Sequence, residues 1–369
     1  MTLRSTLPAL PALAAALLFG ASTPLAKALV GDMPPLLLAG LLYLGSGLGL
    51  GLLLGLRRVL VAAATRTRPP GQDTARLHIP RAEWPWLLGA ILFGGVCGPA
   101  LLMLGLTQTG GATASLLLNV EAVLTALIAW LVFRENADRR VVLGMAAIVL
   151  GGVLLAWEPG GATLSTGALL VVGACLCWAV DNNLTRKVST NDAMLVAGLK
   201  GLLAGATNTA LALAGGAVLP AAGPLAASLV LGFFGYGLSL TLFVLALRTL
   251  GTARSGAYFS VAPLFGVAVS FALWPAAPGA LFWAAAALMA GGVWLHVRER
   301  HEHAHVHEPL AHSHRHRHDA HHRHTHAFAW NGEEPHTHAH VHEVLVHRHA
   351  HFPDIHHRHR HGAQGGHSH

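Results

Sequence analysis

The chain has 369 residues, 53% of them hydrophobic and only 11% charged, with a formal net charge of +7 when histidine is counted neutral. A soluble globule carries nearer a quarter of charged residues, so these proportions exclude one. The excess charge lies in residues 1–297, with 16 basic against 9 acidic residues, and reports orientation in a membrane rather than nucleic-acid binding.

Ten apolar segments follow in order at about 9–30, 35–56, 84–106, 111–132, 141–157, 165–185, 193–214, 224–247, 255–274 and 279–297. Each approaches the ~20 residues that cross a ~30 Å hydrocarbon layer, the fifth at the short limit. They predict an all-α membrane protein of ten transmembrane helices. Of 24 Lys and Arg residues, 22 lie at the two ends or in alternate connections: Arg57, Arg58, Arg66, Arg68, Arg76 and Arg81, then Arg134, Arg139 and Arg140, then Arg186 and Lys187, then Arg248 and Arg254. Only Lys27 and Lys200 fall inside segments. Basic loops stay on the cytoplasmic side, which places both termini there, and a bacterial inner membrane is the expected location. Arg4, the apolar run after it and Ala26-Lys27-Ala28 imitate a cleavable leader, yet the first segment has a counterpart later in the chain and is read as retained. The cysteines, Cys97, Cys175 and Cys177, all lie within apolar segments, where disulfides are not expected.

The counterpart is part of an internal repeat. Leu104 to Ser115 aligns with Leu245 to Gly256 at a constant offset of 141, bringing Gly110 onto Gly251 and Ala112 onto Ala253. Gly151-Gly152-Val153 answers to Gly291-Gly292-Val293, and Phe19 with Lys27 eight residues on answers to Trp178 with Arg186. The chain therefore divides into five-helix halves, 1–160 and 161–297, and five being odd, the halves cross in opposite senses. The charges agree: the basic loop after the second segment corresponds to the uncharged stretch 215–224. Inverted repeats of this kind build secondary transporters with a site near the midplane.

On these residues, together with the Phe133-Arg134-Glu135 helix end, residues 9–297 resemble an EamA-type member of the drug/metabolite transporter superfamily. The resemblance implies a ten-helix transporter with a central cavity that moves small organic solutes, often outward. Two departures stand out: Trp274-Pro275 replaces the family's usual acidic helix end, and Glu121 stands where the other half has Ala262-Pro263.

Polar residues inside the apolar segments are the candidate substrate and coupling groups. Glu121 lies near the centre of the fourth segment, where a carboxylate costs at least ~2.5 kcal/mol by insertion scales and should face a cavity, meet a partner or take up a proton. Thr125 shares its helix face, whereas Asn119 lies nearly opposite. Asp181 and Asn182 stand toward the cytoplasmic end of the sixth segment, and Lys200 some seven residues into the seventh, so that Asp181 and Lys200 either form a buried ion pair or serve substrate. Tyr258 is either an interfacial anchor or a cavity hydroxyl, and Lys27 is expected to snorkel to the interface. Gly47, Gly51 and Gly55 predict close helix packing, while Gly94-Gly95, Gly98-Pro99, Gly235-Tyr236-Gly237, Pro24 and Pro263 predict weakened helices that line a cavity or act as hinges.

The tail, 298–369, holds 25 of the 27 histidines and is itself duplicated, residues 301–326 recurring at 336–361 with an offset of 35. One copy contributes His301, His303, His305, His307, His312, His314, His316, His321, His322, His324 and His326; the other His336, His338, His340, His342, His347, His349, His351, His356, His357, His359 and His361. Glu, Leu, Asp and Arg positions persist between the copies, which points to two metal-binding units. Imidazole suits Zn, Ni or Cu, and alternate histidines on an extended strand share a side. With little apolar content the tail is expected to be disordered without metal.

The sequence thus predicts a secondary transporter of a small organic metabolite, regulated by a metal-binding tail and requiring no cofactor. The alternative is a transporter of Zn, Ni or Co that uses the tail as a collector; a membrane-anchored metal store is a third reading. The partners are the lipid bilayer, a small-molecule substrate and transition-metal ions, with a homodimer left open. No nucleotide-binding loop is present, so ATP-driven pumping is unsupported, and an enzyme is not expected.

Overall fold

The computed structural model describes residues 10–31, 33–65, 79–133, 139–157, 164–188, 191–250, 258–297, 302–307, 310–316, 336–342 and 345–350. Up to residue 297 these residues are helical: α1 (Leu10–Leu29), α2 (Pro35–Thr65), α3 (Trp84–Ala90), α4 (Gly98–Gln108), α5 (Gly111–Leu117), α6 (Val120–Phe133), α7 (Arg139–Ala156), α8 (Thr166–Thr185), α9 (Ala193–Ala214), α10 (Ala222–Gly232), α11 (Ser239–Leu250), α12 (Ala262–Leu273) and α13 (Ala280–Val297). Among the described residues seven spans are long and apolar enough to cross a membrane, and the shorter apolar helices Val142–Ala156, Ala262–Leu273 and Ala280–Leu295 accompany them. Large apolar side chains such as Leu52 (74% exposed), Leu131 (70%) and Val132 (67%) point outward, which suits lipid and would be a liability in water.

Two spans are rods with a wide turn in the middle. α3 and α4 join through the π-helical segment Ile91–Cys97, and α10 and α11 through Phe233–Leu238. A wide turn leaves carbonyls poorly matched to the ladder, and in lipid each needs a partner from the protein. Tyr43 Oη (2.7 Å) and Trp178 Nε1 (2.9 Å) both donate to the Gly94 carbonyl, and Asn208 Nδ2 donates to those of Gly95 (3.1 Å) and Val96 (3.4 Å). In the second rod the hydroxyl of Ser239 bonds the Gly235 carbonyl and that of Thr241 the Gly237 carbonyl at 3.1 Å. The glycines expected to weaken these spans therefore do so by widening a turn.

The fourth apolar segment holds a break that its sequence does not announce. α5 ends at Leu117, Leu118 and Asn119 form a turn, and α6 begins at Val120. Asn119 N bonds the Leu116 carbonyl at 3.1 Å, tightening the last turn, and the Asn119 side chain bonds the same carbonyl at 2.8 Å. The ninth segment breaks similarly at Ser260 and Val261, before α12.

Close packing of α2 on α9 uses glycines, though not the stripe expected. A Cβ on Gly47 would lie 2.3 Å from Leu202 N, one on Gly201 2.6 Å from Gly47 N and one on Gly205 2.4 Å from Leu44 N, whereas Gly51 and Gly55 meet nothing within 4 Å. The helix turns its later glycines away from α9. After α9 the chain reverses at Gly216, whose φ of 89° lies in the left-handed region that favours glycine.

Four short stretches of the tail are described, each as a strand. β1 (Glu302–His307) pairs antiparallel with β4 (Leu345–Ala350), and β2 (Leu310–His316) with β3 (His336–His342). A period of two in the histidines is a strand pattern, and the duplication gives each strand a partner of similar sequence. The Gly251 turn, Arg134 and Glu135, and His301, His321, His322, His324, His326, His351, His356, His357, His359 and His361 lie outside the described residues.

Candidate functional site

The site is organised by the end of α8, where Asp181, Asn182 and Asn183 follow one another and, at ~100° per residue, fan toward different neighbours. Asn182 Nδ2 donates to Glu121 Oε1 at 2.9 Å and to Thr125 Oγ1 at 3.3 Å, so both members of the face expected on the fourth segment meet one amide. Asn183 Nδ2 donates to the carbonyls of Ala179 (2.9 Å) and Thr125 (3.4 Å), stitching α8 to α6. Higher on the same helices the Cys175 thiol contacts the Leu117 carbonyl at 3.7 Å, beside the break between α5 and α6. Asn119 stays out of the cluster, its amide spent on the turn.

Glu121 sits in the first turn of α6 because of that break. A carboxylate near a helix N-terminus gains about 0.3–1 kcal/mol from the dipole, against at least ~2.5 kcal/mol for its placement in mid-membrane. The dipole does not close that gap, and the bond from Asn182 narrows it. Asn182 is exposed whereas Asp181 and Asn183 on either side are buried, so the carboxylate faces the open side of α8.

Asp181 turns the other way. Lys200 Nζ donates to both of its carboxylate oxygens at 2.6 Å, and Thr185 Oγ1 donates to Oδ1 at 2.8 Å. The pair presses on the wide turn of the third span, where a Cβ added at Gly94 would lie 1.9 Å from Asp181 Oδ2. The Lys27 ammonium, expected at the interface, bonds the Leu106 carbonyl near the end of α4, where the helix leaves carbonyls free. Tyr258 is exposed at 38%, ahead of the break before α12.

Several groups beside the site escaped the sequence reading. Tyr43 and Tyr236 have ring centroids 5.6 Å apart, and Phe19 stands 6.3 Å from Tyr236 and 5.5 Å from Phe259, which meets Phe243 at 4.6 Å. This aromatic chain links α1, α2, the wide turn and α11 of the second rod, and the residues ahead of α12. Asn208 could have been found as a polar residue inside an apolar segment; Tyr43 carried no local signal. At the end of the bundle rich in arginine, Arg57 pairs with Asp192 at 3.2 Å, and Asp192 caps α9 by accepting from Met194 N (2.9 Å) and Leu195 N (3.2 Å).

Interrupted apolar helices, a carboxylate held at one interruption, and an ion pair set against another define a multi-pass membrane protein of the transporter class. The chain belongs to the EamA-like transporter family, whose model matches residues 6–157 and again 165–298. An uncharacterized transporter of Methanothermobacter thermautotrophicus is 31% identical over 275 residues, 70% of this chain and 76% of that protein. A probable 4-amino-4-deoxy-L-arabinose-phosphoundecaprenol flippase subunit of Pseudomonas aeruginosa is 46% identical over 83 residues, 22% of this chain and 66% of that protein. The uncharacterized transporter YyaM of Bacillus subtilis is 23% identical over 188 residues, 47% of this chain and 60% of that protein. A solved crystal structure shares the fold with a TM-score of 0.54 at 22% identity, over 78% of this chain and 96% of that one.

Proposed function

We propose that this protein is a secondary transporter of a small organic metabolite, with ten transmembrane helices in two inverted repeats, 1–160 and 161–297, and both termini on the cytoplasmic side of a bacterial inner membrane. The double family match supports two repeats, as do the wide turns at Gly94 and Gly235, the same 141 residues apart as the aligned segments, and the matching breaks at Asn119 and Ser260. The one-sided arginines support the orientation. The observation that carries the functional reading is Glu121, held by Asn182 at 2.9 Å on the open side of α8 and at the start of a half-helix. Discontinuous helices supply such groups in secondary transporters. In this reading Glu121 exchanges a proton or engages a cationic group of the solute, with Thr125, Asn182 and Tyr258 around the path, Asn119 holding the break from which Glu121 projects, and the Asp181–Lys200 pair beside it.

A relative named for flipping a lipid-linked sugar favours an organic cargo. Among the described residues no three His, Cys, Asp or Glu side chains gather to hold a metal ion, which favours an organic cargo over a bare divalent cation. Transition metals belong instead to the tail, 298–369, which binds Zn, Ni or Cu and regulates transport.

Proteoliposomes loaded with a pH-sensitive dye and challenged with amino acids, Zn2+, Ni2+ and Co2+ in turn test this reading. Solute-dependent proton movement is expected with amino acids, and its loss in Glu121→Gln while the variant inserts and folds normally. A Gln variant active at every pH would reduce Glu121 to a packing residue.

A further inference from the structure

The membrane part holds two thiols that the candidate transport site does not use. α4 and α8 run antiparallel, and their glycines fix the register. A Cβ on Gly98 would lie 2.9 Å from Trp178 Nε1, one on Gly173 3.5 Å from Leu101 Cδ1, one on Gly105 2.8 Å from Val171 Cγ2 and one on Gly167 2.2 Å from Thr109 Oγ1. Cys97 precedes Leu101 by four residues and has helical φ and ψ of −69° and −49°, and Cys177 follows Gly173 by four within α8. One turn back along α4 and one turn on along α8 lead the same way, because the helices are antiparallel. Cys97 and Cys177 therefore stand side by side on one flank of the seam, next to the Leu101–Gly173 contact. Both are half-buried, whereas Cys175, about 200° round the helix from Cys177, is buried and turned to the Leu117 carbonyl. The thiols of Cys97 and Cys177 interact electrostatically.

Residues on the flanks of two packed helices have Cβ atoms separated by roughly the interaxial distance, about 8–10 Å in ordinary packing and at the low end where glycines line the seam. A disulfide needs Cβ atoms about 3.5–4.5 Å apart, so the two sulfurs do not join directly. A soft ion held between two thiolates reaches further: on the scale of a ~2.3 Å Zn–S bond, a linear S–metal–S unit spans about 4.6 Å before the Cβ–S bonds are added. Ions that ask for three or more ligands find no such group among the described residues. A divalent ion on two thiolates is also electrically neutral, the form that costs least at this depth in a membrane.

We propose that Cys97 and Cys177 form a two-thiol site for a soft, two-coordinate divalent cation of the mercuric type, which bridges the third and sixth spans. Each thiol releases its proton to solvent and forms one S–Hg bond, Hg2+ and two RSH giving Hg(SR)2 and two H+, with no change of oxidation state. The site does not depend on the transport reading. Its position gives it a mechanical effect. Cys97 closes the wide turn Ile91–Cys97, and Asp181, one turn beyond Cys177, presses on Gly94 of the same turn, so the bridge fastens that turn to α8.

Thiol counting on the full-length protein in detergent micelles tests the pairing, with EDTA present to remove metal held by imidazoles. Cys97 and Cys177 are expected to react with a maleimide in the folded protein, and one equivalent of HgCl2 should protect both at once against a wash with one equivalent of a monothiol. In Cys97→Ser and in Cys177→Ser the same wash should free the remaining thiol, while Cys175→Ser should behave as the unaltered protein. Hg2+ should raise the melting temperature of the unaltered protein and of Cys175→Ser, and leave the other two variants unchanged. One equivalent that protects a single thiol, or protection that persists in Cys97→Ser, would overturn the proposal. So would mercury-linked dimers on size exclusion, which would place the bridge between molecules. Peptide mapping of the unaltered protein should find Hg2+ joining the fragment with Cys97 to that with Cys177, and this keeps the test decisive if a variant fails to fold.

Discussion

Replacing Lys200 by methionine should strand the Asp181 carboxylate. The two side chains are 9% (Asp181) and 16% (Lys200) exposed, and Lys200 bonds both carboxylate oxygens at 2.6 Å, so little water is available to take the place of the ammonium. Removing one partner of a buried pair costs about 3–5 kcal/mol, because the charge left behind keeps its desolvation penalty. Asp181→Asn should cost a similar amount by stranding Lys200, although Thr185 retains an acceptor in the amide oxygen. In the double variant Asp181→Asn/Lys200→Met no charge remains, and the cost should fall about 1–3 kcal/mol below the sum of the single costs. Unfolding in detergent micelles can be followed with a thiol-reactive dye, since Cys175 is buried and free and reports loss of the α5–α8 contact. Single-variant costs that simply add, or that stay under about 1 kcal/mol, would refute a buried pair and leave Lys200 available to substrate.

Gly94→Ala should disturb the same pair from the other side, since the new methyl would lie 1.9 Å from Asp181 Oδ2; a drop in melting temperature that Asp181→Ala partly restores would check it. Gly201→Leu should prevent α2 from seating on α9, where even a Cβ would stand 2.6 Å from Gly47 N, and size-exclusion profiles should show aggregation; Gly51→Leu, with open space around it, should behave as wild type. Deleting 301–369 should leave the membrane part folded and transporting while removing the response to Zn2+, measured by transport with and without the metal. Single cysteines placed in the 57–81 loop should label only from the cytoplasmic side; labelling from outside would reverse the orientation.

What the sequence disclosed and what it hid divide along the range of the interaction. Glu121 and Thr125 are four residues apart, so their shared face follows from helix geometry alone, and the Asp181–Lys200 contact follows from a short connection between antiparallel neighbours. That Asn182 completes the Glu121 site depends on how α8 lies across α6, which no local pattern encodes. The break at Leu118 and Asn119 was invisible because neither glycine nor proline marks it; its stabilisation comes from the Asn119 amide and the Cys175 thiol. The glycines at 94 and 235 marked where two helices weaken, but the manner of weakening depends on donors more than fifty residues away or on hydroxyls one turn ahead. Gly51 and Gly55 misled because spacing reveals a stripe and not what lies opposite it.

The wide turns in the two rods have a consequence for how the gene can vary. An i to i+5 turn encloses one residue more than an α-helical turn, so Ile91–Cys97 and Phe233–Leu238 each carry a surplus residue. Loss of a single codon there would close the wide turn into an ordinary helix, and because the surplus residue is absorbed within that turn, the two halves of the rod would keep their facing toward α2, α8 and α9. The rod would survive as a membrane span, but Tyr43, Trp178 and Asn208 would no longer find the carbonyls of Gly94, Gly95 and Val96. One-codon deletions at these two places should therefore yield a protein that inserts and accumulates yet does not work, whereas the same deletion in α9 would tear the glycine seam and abolish the fold.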